Sequence, residues 1–296
     1  MLPNASRTHP VTVIINALRP REYIKNLSIF FPAFFSQQLL VTDHLLLGTI
    51  GFITFSVLAS GIYLFNDYQD LEFDRVHPQK KYRPMASGQL SPQIGIGISV
   101  VLLLLGVMIS IYFGWAVLGV SGAYVLLNMA YSFKLKQIPI LDVFSIAMGF
   151  VLRLYFGSFL MGISLSHWII LVTFLLAIFL GFSKRYHDVI LYDDDHIKRR
   201  DVIDGYTQDL LQMYMSISAT LVIVSYLFYT LAGIHRPHII IVSTSVYVIF
   251  GLLYYVKLTV VDHHTQSPTH IVYTSRLLQL TIFLWALSFC VHLYIL

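Results

Sequence analysis

Long apolar stretches separated by short polar segments dominate the pattern of this chain. Each stretch is about 18–22 residues long, which is the length that an α-helix needs to cross a hydrocarbon core of about 30 Å. Because lipid offers the backbone no hydrogen-bond partners, we expect these stretches to be helical. They lie at residues 24–42, 45–65, 93–113, 115–132, 139–160, 166–183, 210–232, 237–257 and 276–295. The pattern predicts an all-α integral membrane protein with nine transmembrane helices.

The composition supports this interpretation and excludes a soluble domain. Of the 296 residues, 57% are hydrophobic and 11% are charged, whereas soluble domains are about 45–50% apolar and 25% charged. The single cysteine, Cys290, excludes a disulfide framework and a cysteine metal site. We expect one domain that covers residues 1–296, and its first apolar stretch is too long for a signal peptide.

The basic residues lie almost entirely on one side of the expected membrane. With the N-terminus in the cytosol, 17 of the 19 lysines and arginines fall in cytosolic segments or at their boundaries, as the positive-inside rule requires. Arg19 and Arg21 belong to these 17, and the two exceptions are Arg153 and Arg236. The sequence pI of about 9.0 is therefore explained by topology, and we expect no nucleic-acid partner. Polar cap loops are expected at 66–92 and 184–209, so any chemistry should lie at the cytosolic face of an inner membrane.

The segment NDYQDLEFDRVHPQKKYRP, residues 66–84, concentrates charge directly after the second apolar stretch. If the helix continues to residue 74, its advance of about 100° per residue places four oxygen-bearing side chains on one face. They are Asn66, Asp67, Asp70 and Asp74. Such oxygen ligands suit Mg²⁺, which is commonly shared with substrate phosphates, and Lys80 and Arg83 are suited to the phosphates themselves. The alternative is a solvated loop whose charges set topology and pair with one another.

Arg153 is a second unusual position, because it lies about 20 Å along the fifth apolar stretch. A charge at that depth is costly unless it faces water or a partner. Asp142, Gly149 and Arg153 share one stripe of the helix, since eleven residues complete about three turns. We expect Arg153 to reach a substrate phosphate in a central cavity, and a structural ion pair with a neighbouring helix is the alternative.

Several stretches carry a family resemblance. Residues 66–91 resemble the first aspartate-rich motif of the UbiA-type intramembrane prenyltransferase superfamily, and YSFKLKQIPILD (131–142) resembles its tyrosine–lysine motif. Other stretches are similar to the decaprenyl-phosphate phosphoribosyltransferase branch of that superfamily. They are LRPREYIKNLSIFFP (18–32), GFVLRLYFGS (149–158), SKRYHD (183–188) and SPTHIVYTSRLLQLTIFLWAL (267–287).

The resemblance implies helices around a central cavity that opens to the cytosolic side and laterally to lipid. It implies Mg²⁺-dependent transfer of 5-phosphoribose from phosphoribosyl pyrophosphate (PRPP) to a polyprenyl phosphate, with release of pyrophosphate. In this interpretation the catalytic residues are Asp70, Asp74, Lys136 and Arg153, and the metal ligands are Asn66, Asp67, Asp70, Asp74 and Asp188. The substrate-binding residues are Lys25, Asn26, Asn66, Lys80, Arg83, Tyr131, Lys134, Asp142, Lys184 and Arg185. The run from Asp193 to Asp195 is interpreted as a solvated loop, with a second Mg²⁺ site as the alternative.

Two other functions are compatible with part of this pattern. An aromatic prenyltransferase with a prenyl diphosphate donor would have nearly the same metal site, but its neutral acceptor does not require a deep cation such as Arg153. A transporter would be expected to show helices broken by glycine or proline in repeated halves, and we find no such repeat. The sequence is compatible with a homo-oligomer and does not define the length of the prenyl chain.

Overall fold

The computed structural model describes residues 10–77, 79–195, 201–232, 239–261 and 268–295. Within these ranges the secondary structure is helical, and eight helices are long and apolar enough to cross a membrane. We number them α1 (Thr42–Gln69), α2 (Pro92–Tyr112), α3 (Trp115–Phe133), α4 (Leu141–Met161), α5 (His167–Asp195), α6 (Gln208–Ala232), α7 (Ile239–Val260) and α8 (Arg276–Tyr294). They match the last eight of the nine predicted spans, and the expected all-α membrane fold is confirmed.

The first predicted span, residues 24–42, is not one long α-helix. The chain forms a short α-helix at Pro10–Leu18, a 3₁₀-helix at Pro20–Phe30 and another short α-helix at Phe31–Phe35. We call the 3₁₀-helix Pro20–Phe30 the strap. Its 11 residues extend for about 22 Å, because a 3₁₀-helix rises about 2.0 Å per residue. The total of nine spans therefore stays a prediction.

Side-chain contacts with α1 hold the strap in its tight conformation. Runs of 3₁₀-helix longer than four residues are uncommon, so outside contacts are needed to hold one of this length. The hydroxyl groups of Tyr23 and Ser60 lie 2.8 Å apart, and the Asn26 side-chain amide donates to Ser56 Oγ at 2.9 Å. Later strap residues contact earlier residues of α1, so the strap runs antiparallel to that helix.

Gly157 allows α4 to approach the backbone of the strap. A Cβ atom at this position would overlap the carbonyl oxygen of Ile29 and lie 2.9 Å from its carbonyl carbon. We expect Gly157→Ala to lower the Tm by about 2–10 °C, because overpacking costs about 1–3 kcal/mol. Gly119→Ala in α3 is the matched control, since nothing lies within 4 Å of the added Cβ. Thermal unfolding in detergent measures both variants, and equal losses would contradict the close approach.

The described residues pack as two compact units. The first unit falls within Met1–Ala33, Leu39–Lys134 and Leu152–Ile163, and the second within Phe34–Gln38, Leu135–Val151 and Ser164–Leu296. In the first unit Phe55 is a buried core residue, and the centre of its ring lies 4.4 Å from the ring centre of Tyr124 and 5.2 Å from that of Phe156. In the second unit the core includes Phe179 and Leu211, both fully buried. A single domain over residues 1–296 stays a prediction.

The two expected cap loops contain more helix than the sequence pattern indicates. Short helices occupy Leu71–Val76 and Lys80–Tyr82 in the first loop. In the second loop α5 continues to Asp195, and a 3₁₀-helix follows at Asp201–Gly205. Lys184, Arg185 and Asp188 of the second loop therefore lie on α5.

Candidate functional site

A helix break and an arginine together arrange the aspartates that follow α1. The helix ends at Gln69, and Asp70 separates it from the helix Leu71–Val76. The expectation of a continuous helix through Asp74 is therefore wrong. Asp67 and Asp74 nevertheless lie side by side, because Arg83 Nη1 donates to Asp67 Oδ1 at 3.1 Å and to Asp74 Oδ2 at 2.5 Å.

A second arginine, Arg19, binds the same carboxylate of Asp67. Its Nη2 atom donates to Asp67 Oδ1, and its guanidinium carbon lies 5.3 Å from the centre of the Tyr63 ring. The sequence pattern assigned Arg19 to topology alone, and its spacing from Asp67 gave no sign of this contact. We call Arg19, Asp67, Asp74 and Arg83 the acidic cluster.

Asp74 is the most enclosed member of the acidic cluster. Its side chain is only 1% exposed, and its Oδ1 atom has no hydrogen-bond partner. Burial raises the pKa of the Asp74 carboxyl group, against the opposing effect of the Arg83 guanidinium. A buried carboxylate oxygen without a partner, next to a second carboxylate, is a donor that a divalent cation could use. The two carboxylates of the cluster, Asp67 and Asp74, therefore fit Mg²⁺.

Asn66 and Asp70 lie beside the cluster. The Asn66 side-chain oxygen accepts a hydrogen bond from the hydroxyl of Ser132, a residue that the sequence analysis did not select. Asp70 is half-buried, and its backbone N–H donates to the carbonyl oxygen of Asn66 at 2.9 Å. Across the described part of the chain, no three His, Cys, Asp or Glu side chains are already grouped to hold a metal ion. Mg²⁺ usually takes one or two carboxylates, with water and substrate phosphate oxygens as its other ligands, and Asp67 and Asp74 supply that number.

Arg153 is buried in the first unit between two aromatic rings. Its guanidinium carbon lies 5.0 Å from the centre of the Phe55 ring and 5.1 Å from that of Tyr124. Nε donates to Asn26 Oδ1 at 2.9 Å, and Nη2 donates to the Tyr124 hydroxyl at 3.2 Å. Cation–π contacts are strongest for desolvated cations. Asn26, which was predicted to bind substrate, here joins Arg153 to Ser56.

In the second unit Arg185 connects two of the predicted acidic residues. Its Nε atom donates to Asp142 Oδ2 at 2.5 Å, and its Nη1 atom donates to Asp188 Oδ2 at 2.7 Å. The Tyr206 hydroxyl donates to Asp142 Oδ1 at 2.8 Å and accepts the backbone N–H of Ile140 at 2.6 Å. Burial raises the pKa of Tyr206, so this hydroxyl keeps the proton that it donates. We call Asp142, Arg185, Asp188 and Tyr206 the ion-pair network.

The other predicted site residues lie nearer the surface. Lys80 is half-buried, with its ammonium group 5.3 Å from the centre of the Phe73 ring, and Lys25 forms an ion pair with Glu22. Lys134 and Lys184 are exposed, while Tyr131 and Lys136 are half-buried. The side chains of the aspartate run at 193–195 lie outside the described residues.

The sequence profile described as the UbiA prenyltransferase family matches residues 27–287. This chain belongs to the UbiA prenyltransferase family. The decaprenyl-phosphate phosphoribosyltransferase of Corynebacterium glutamicum is 34% identical over 222 residues, which cover 72% of this chain and 65% of that protein. The protein of the same name from Mycolicibacterium smegmatis is 31% identical over 220 residues, which cover 73% and 69% of the two chains. The resemblance seen in the sequence motifs is confirmed.

A solved structure of a UbiA homologue from Archaeoglobus fulgidus, bound to DMAPP and Mg²⁺, matches this UbiA family member with a TM-score of 0.72. The match covers 94% of this chain and 96% of that chain, at 18% sequence identity. At this identity the likeness shows the fold, which is that of the UbiA family. The eight long apolar helices and the family together establish an integral membrane protein.

Proposed function

We propose that this UbiA family member transfers 5-phosphoribose from PRPP to a polyprenyl phosphate and releases pyrophosphate. The acidic cluster carries the proposal, because two buried carboxylates held by two arginines offer ligands for both a metal ion and a diphosphate. The relatives named decaprenyl-phosphate phosphoribosyltransferase support a phosphoribosyl donor and a polyprenyl phosphate acceptor.

Asp67 and Asp74 would hold Mg²⁺, with Asn66 and Asp70 at the edge of the site. The unpaired Oδ1 atom of Asp74 supports this assignment, as does the Mg²⁺ bound to the Archaeoglobus fulgidus homologue. A bound Mg²⁺ would stabilise the negative charge of the departing pyrophosphate. Arg83 and Lys80 bind the diphosphate oxygens, and the planar guanidinium of Arg83 suits bidentate contact.

Arg153 supplies a fixed positive charge for a substrate phosphate. Arg153 is 5% exposed and its guanidinium is held by Asn26 and Tyr124, so we expect the guanidinium to keep its orientation when substrate binds. Asn26 acts on the substrate through Arg153 rather than by direct contact. Lys25, Tyr131, Lys134, Lys136 and Lys184 remain candidate phosphate ligands.

The acceptor needs no strong general base, because a phosphate oxygen of the lipid is already an anion near pH 7. This oxygen forms a bond to the anomeric carbon of PRPP, and pyrophosphate leaves with the electron pair of the broken bond. The anomeric carbon becomes oxocarbenium-like during the transfer, as in other glycosyl transfers. A single displacement inverts the anomeric carbon, so a β-linked product is expected from the α-linked donor.

We place the N-terminus and the acidic cluster on the cytosolic side of the inner membrane. The strap brings Arg19, which precedes α1, to the end of α1 where Asp67 and Arg83 lie. Basic residues on both sides of α1 in the sequence therefore gather at one end of the helix, which agrees with the positive-inside rule.

Two parallel reactions test the substrate assignment. One contains purified protein, Mg²⁺, labelled PRPP and polyprenyl phosphate, and the other contains Mg²⁺, labelled prenyl diphosphate and 4-hydroxybenzoate. We expect label to enter lipid in the first reaction only. Product in the second reaction alone would identify an aromatic prenyltransferase, the alternative that the DMAPP-bound homologue favours. An α-linked ribosyl lipid, or a ribosylated carboxylate on the enzyme, would exclude the single displacement.

A further inference from the structure

Arg19 occupies one of the two oxygens that Asp67 offers to the proposed metal ion. Arg19 and Arg83 both donate to Asp67 Oδ1, and Arg83 also donates to Asp74. The cluster therefore contains two carboxylates and two guanidinium groups, whose formal charges cancel. A metal ion that binds Asp67 Oδ1 has to displace at least one arginine from this oxygen, and one that binds Oδ2 is repelled by both guanidinium charges.

We propose that Arg19 is a diphosphate-binding residue that rests on Asp67 until the diphosphate arrives with its metal ion. This inference rests on the proposed role of the acidic cluster in binding the metal ion and the diphosphate. Without a diphosphate, Arg19 competes with the cation for Asp67. With one, Arg19 transfers its hydrogen bond from the carboxylate to a phosphate oxygen.

The position of Arg19 supports such an exchange. Its side chain is 24% exposed, whereas that of Asp67 is 3% exposed, so an incoming ligand can reach the side chain of Arg19 more readily than that of Asp67. The backbone of Arg19 lies at φ 56° and ψ 59°, directly before Pro20. This left-handed region is sparsely populated by residues other than glycine, and such residues cluster at ligand-binding and switch positions. Stacking on Tyr63 keeps the guanidinium beside the cluster when it leaves Asp67.

Arg19 could otherwise be a purely structural partner of Asp67, and the two roles predict effects of different sign. Loss of a structural arginine would disorder Asp67 and weaken the binding of every ligand to the cluster. Loss of a competing arginine would strengthen the binding of a cation alone, while it weakens the binding of a metal–diphosphate pair. Measuring the affinity for a cation alone and the affinity for a metal–diphosphate pair therefore distinguishes a structural Arg19 from a competing one.

The experiment uses the full chain in detergent with Mn²⁺ and inorganic pyrophosphate as probes. Arg19→Gln is compared with the wild type and with Arg21→Gln, which removes an exposed arginine of the strap two residues further along. Without pyrophosphate, free Mn²⁺ is measured by electron paramagnetic resonance. At a fixed, saturating concentration of Mn²⁺, the binding of labelled pyrophosphate to the protein is measured by equilibrium dialysis. Arg19→Lys is the second variant, since it keeps the charge if the glutamine variant fails to fold.

For Arg19→Gln we expect the affinity for Mn²⁺ alone to rise about two- to fivefold, the range for one partly exposed ion pair. The affinity for pyrophosphate in the presence of Mn²⁺ should fall about 10- to 100-fold, as one charge-assisted hydrogen bond is lost. Arg19→Lys should keep most of the pyrophosphate affinity, and Arg21→Gln should change neither value. Weaker binding of both probes by Arg19→Gln, unchanged pyrophosphate affinity, or no Mn²⁺ binding by the wild type would overturn the inference.

These measurements are independent of the identity of the donor. If Arg19→Gln shows both expected changes while PRPP is not a substrate, only the proposed phosphoribosyl transfer fails. If PRPP is a substrate and Arg19→Gln lowers both affinities, only the role of Arg19 fails.

Discussion

Asp74→Asn is expected to abolish phosphoribosyl transfer, with a fall in kcat of at least about 100- to 1,000-fold, the scale on which electrostatic stabilisation of a transition state operates. Asparagine preserves the shape of the side chain but removes the negative charge and one acceptor oxygen. Asp74 is 1% exposed, binds Arg83 through Oδ2 and has an unpaired Oδ1, so the substitution removes charge from the most enclosed carboxylate of the proposed metal site. Initial rates with labelled PRPP at saturating Mg²⁺ measure the effect. Asp70→Asn is expected to act in the same direction.

Glu72→Gln is the matched control for Asp74→Asn. Glu72 lies on the same short helix, but its side chain is 84% exposed and forms a surface ion pair with Arg75. We expect its rate to stay within about twofold of the wild type, because exposed ion pairs contribute little. Asp194→Asn should also lower the rate of transfer far less than Asp74→Asn does. Full turnover by Asp74→Asn, or by the wild type in EDTA, would contradict the role of the cluster in metal binding.

The long helices could be predicted from the sequence because the thickness of a bilayer fixes their length. The predicted span 93–113 and the helix Pro92–Tyr112 differ by one residue at each end. The strap could not be predicted in this way, since its conformation depends on contacts with α1. A run of apolar residues indicates a segment that can lie in a membrane, but it does not distinguish an α-helix from a 3₁₀-helix that packs against a neighbour.

The proximity of Asp67 and Asp74 was predicted for a reason that proved partly wrong. The spacing of Asp67 and Asp74 was interpreted as one face of a continuous helix, yet the helix breaks at Asp70. The two carboxylates meet because Arg83 binds both of them. Spacing arguments reach only a few turns along one helix, which explains why Arg19, 48 residues from Asp67, was not selected.

The helix stripe that contains Asp142 and Arg153 also shows how little sequence spacing reveals about contacts with other segments. The two residues share one helix, as predicted, but sequence spacing does not reveal the partners that other segments supply. Arg153 binds Asn26, which is 127 residues away, and Asp142 binds Arg185 and Tyr206, which are 43 and 64 residues away. Partners at such separations are defined only by the fold. Substrate binding by Asp142 stays a prediction, and its contacts favour a structural role.

Asp142→Asn is expected to destabilise the protein by about 3 kcal/mol, which is the lower end of the cost of removing one partner from a buried ion pair. Asp142 is fully buried and Arg185 is 4% exposed, so the change leaves a guanidinium that has lost its most enclosed counter-ion. The hydroxyl of Tyr206 also loses a charged acceptor while it supports Ile140, whose φ of 72° is unusual for a β-branched residue. Thermal unfolding should show a Tm lower by about 6–12 °C.

Asp188→Asn provides the comparison, because Asp188 contacts the same guanidinium but is 22% exposed. Loss of the Asp188 charge should lower the free energy of unfolding by about 1 kcal/mol or less, since water screens its ion pair with Arg185. Asp142→Leu combined with Arg185→Leu should recover most of the stability that either single change removes, because no buried charge is then left without a partner. If Asp142→Asn instead keeps the wild-type Tm and raises the KM for PRPP, the carboxylate binds substrate and the ion-pair network is not its main role.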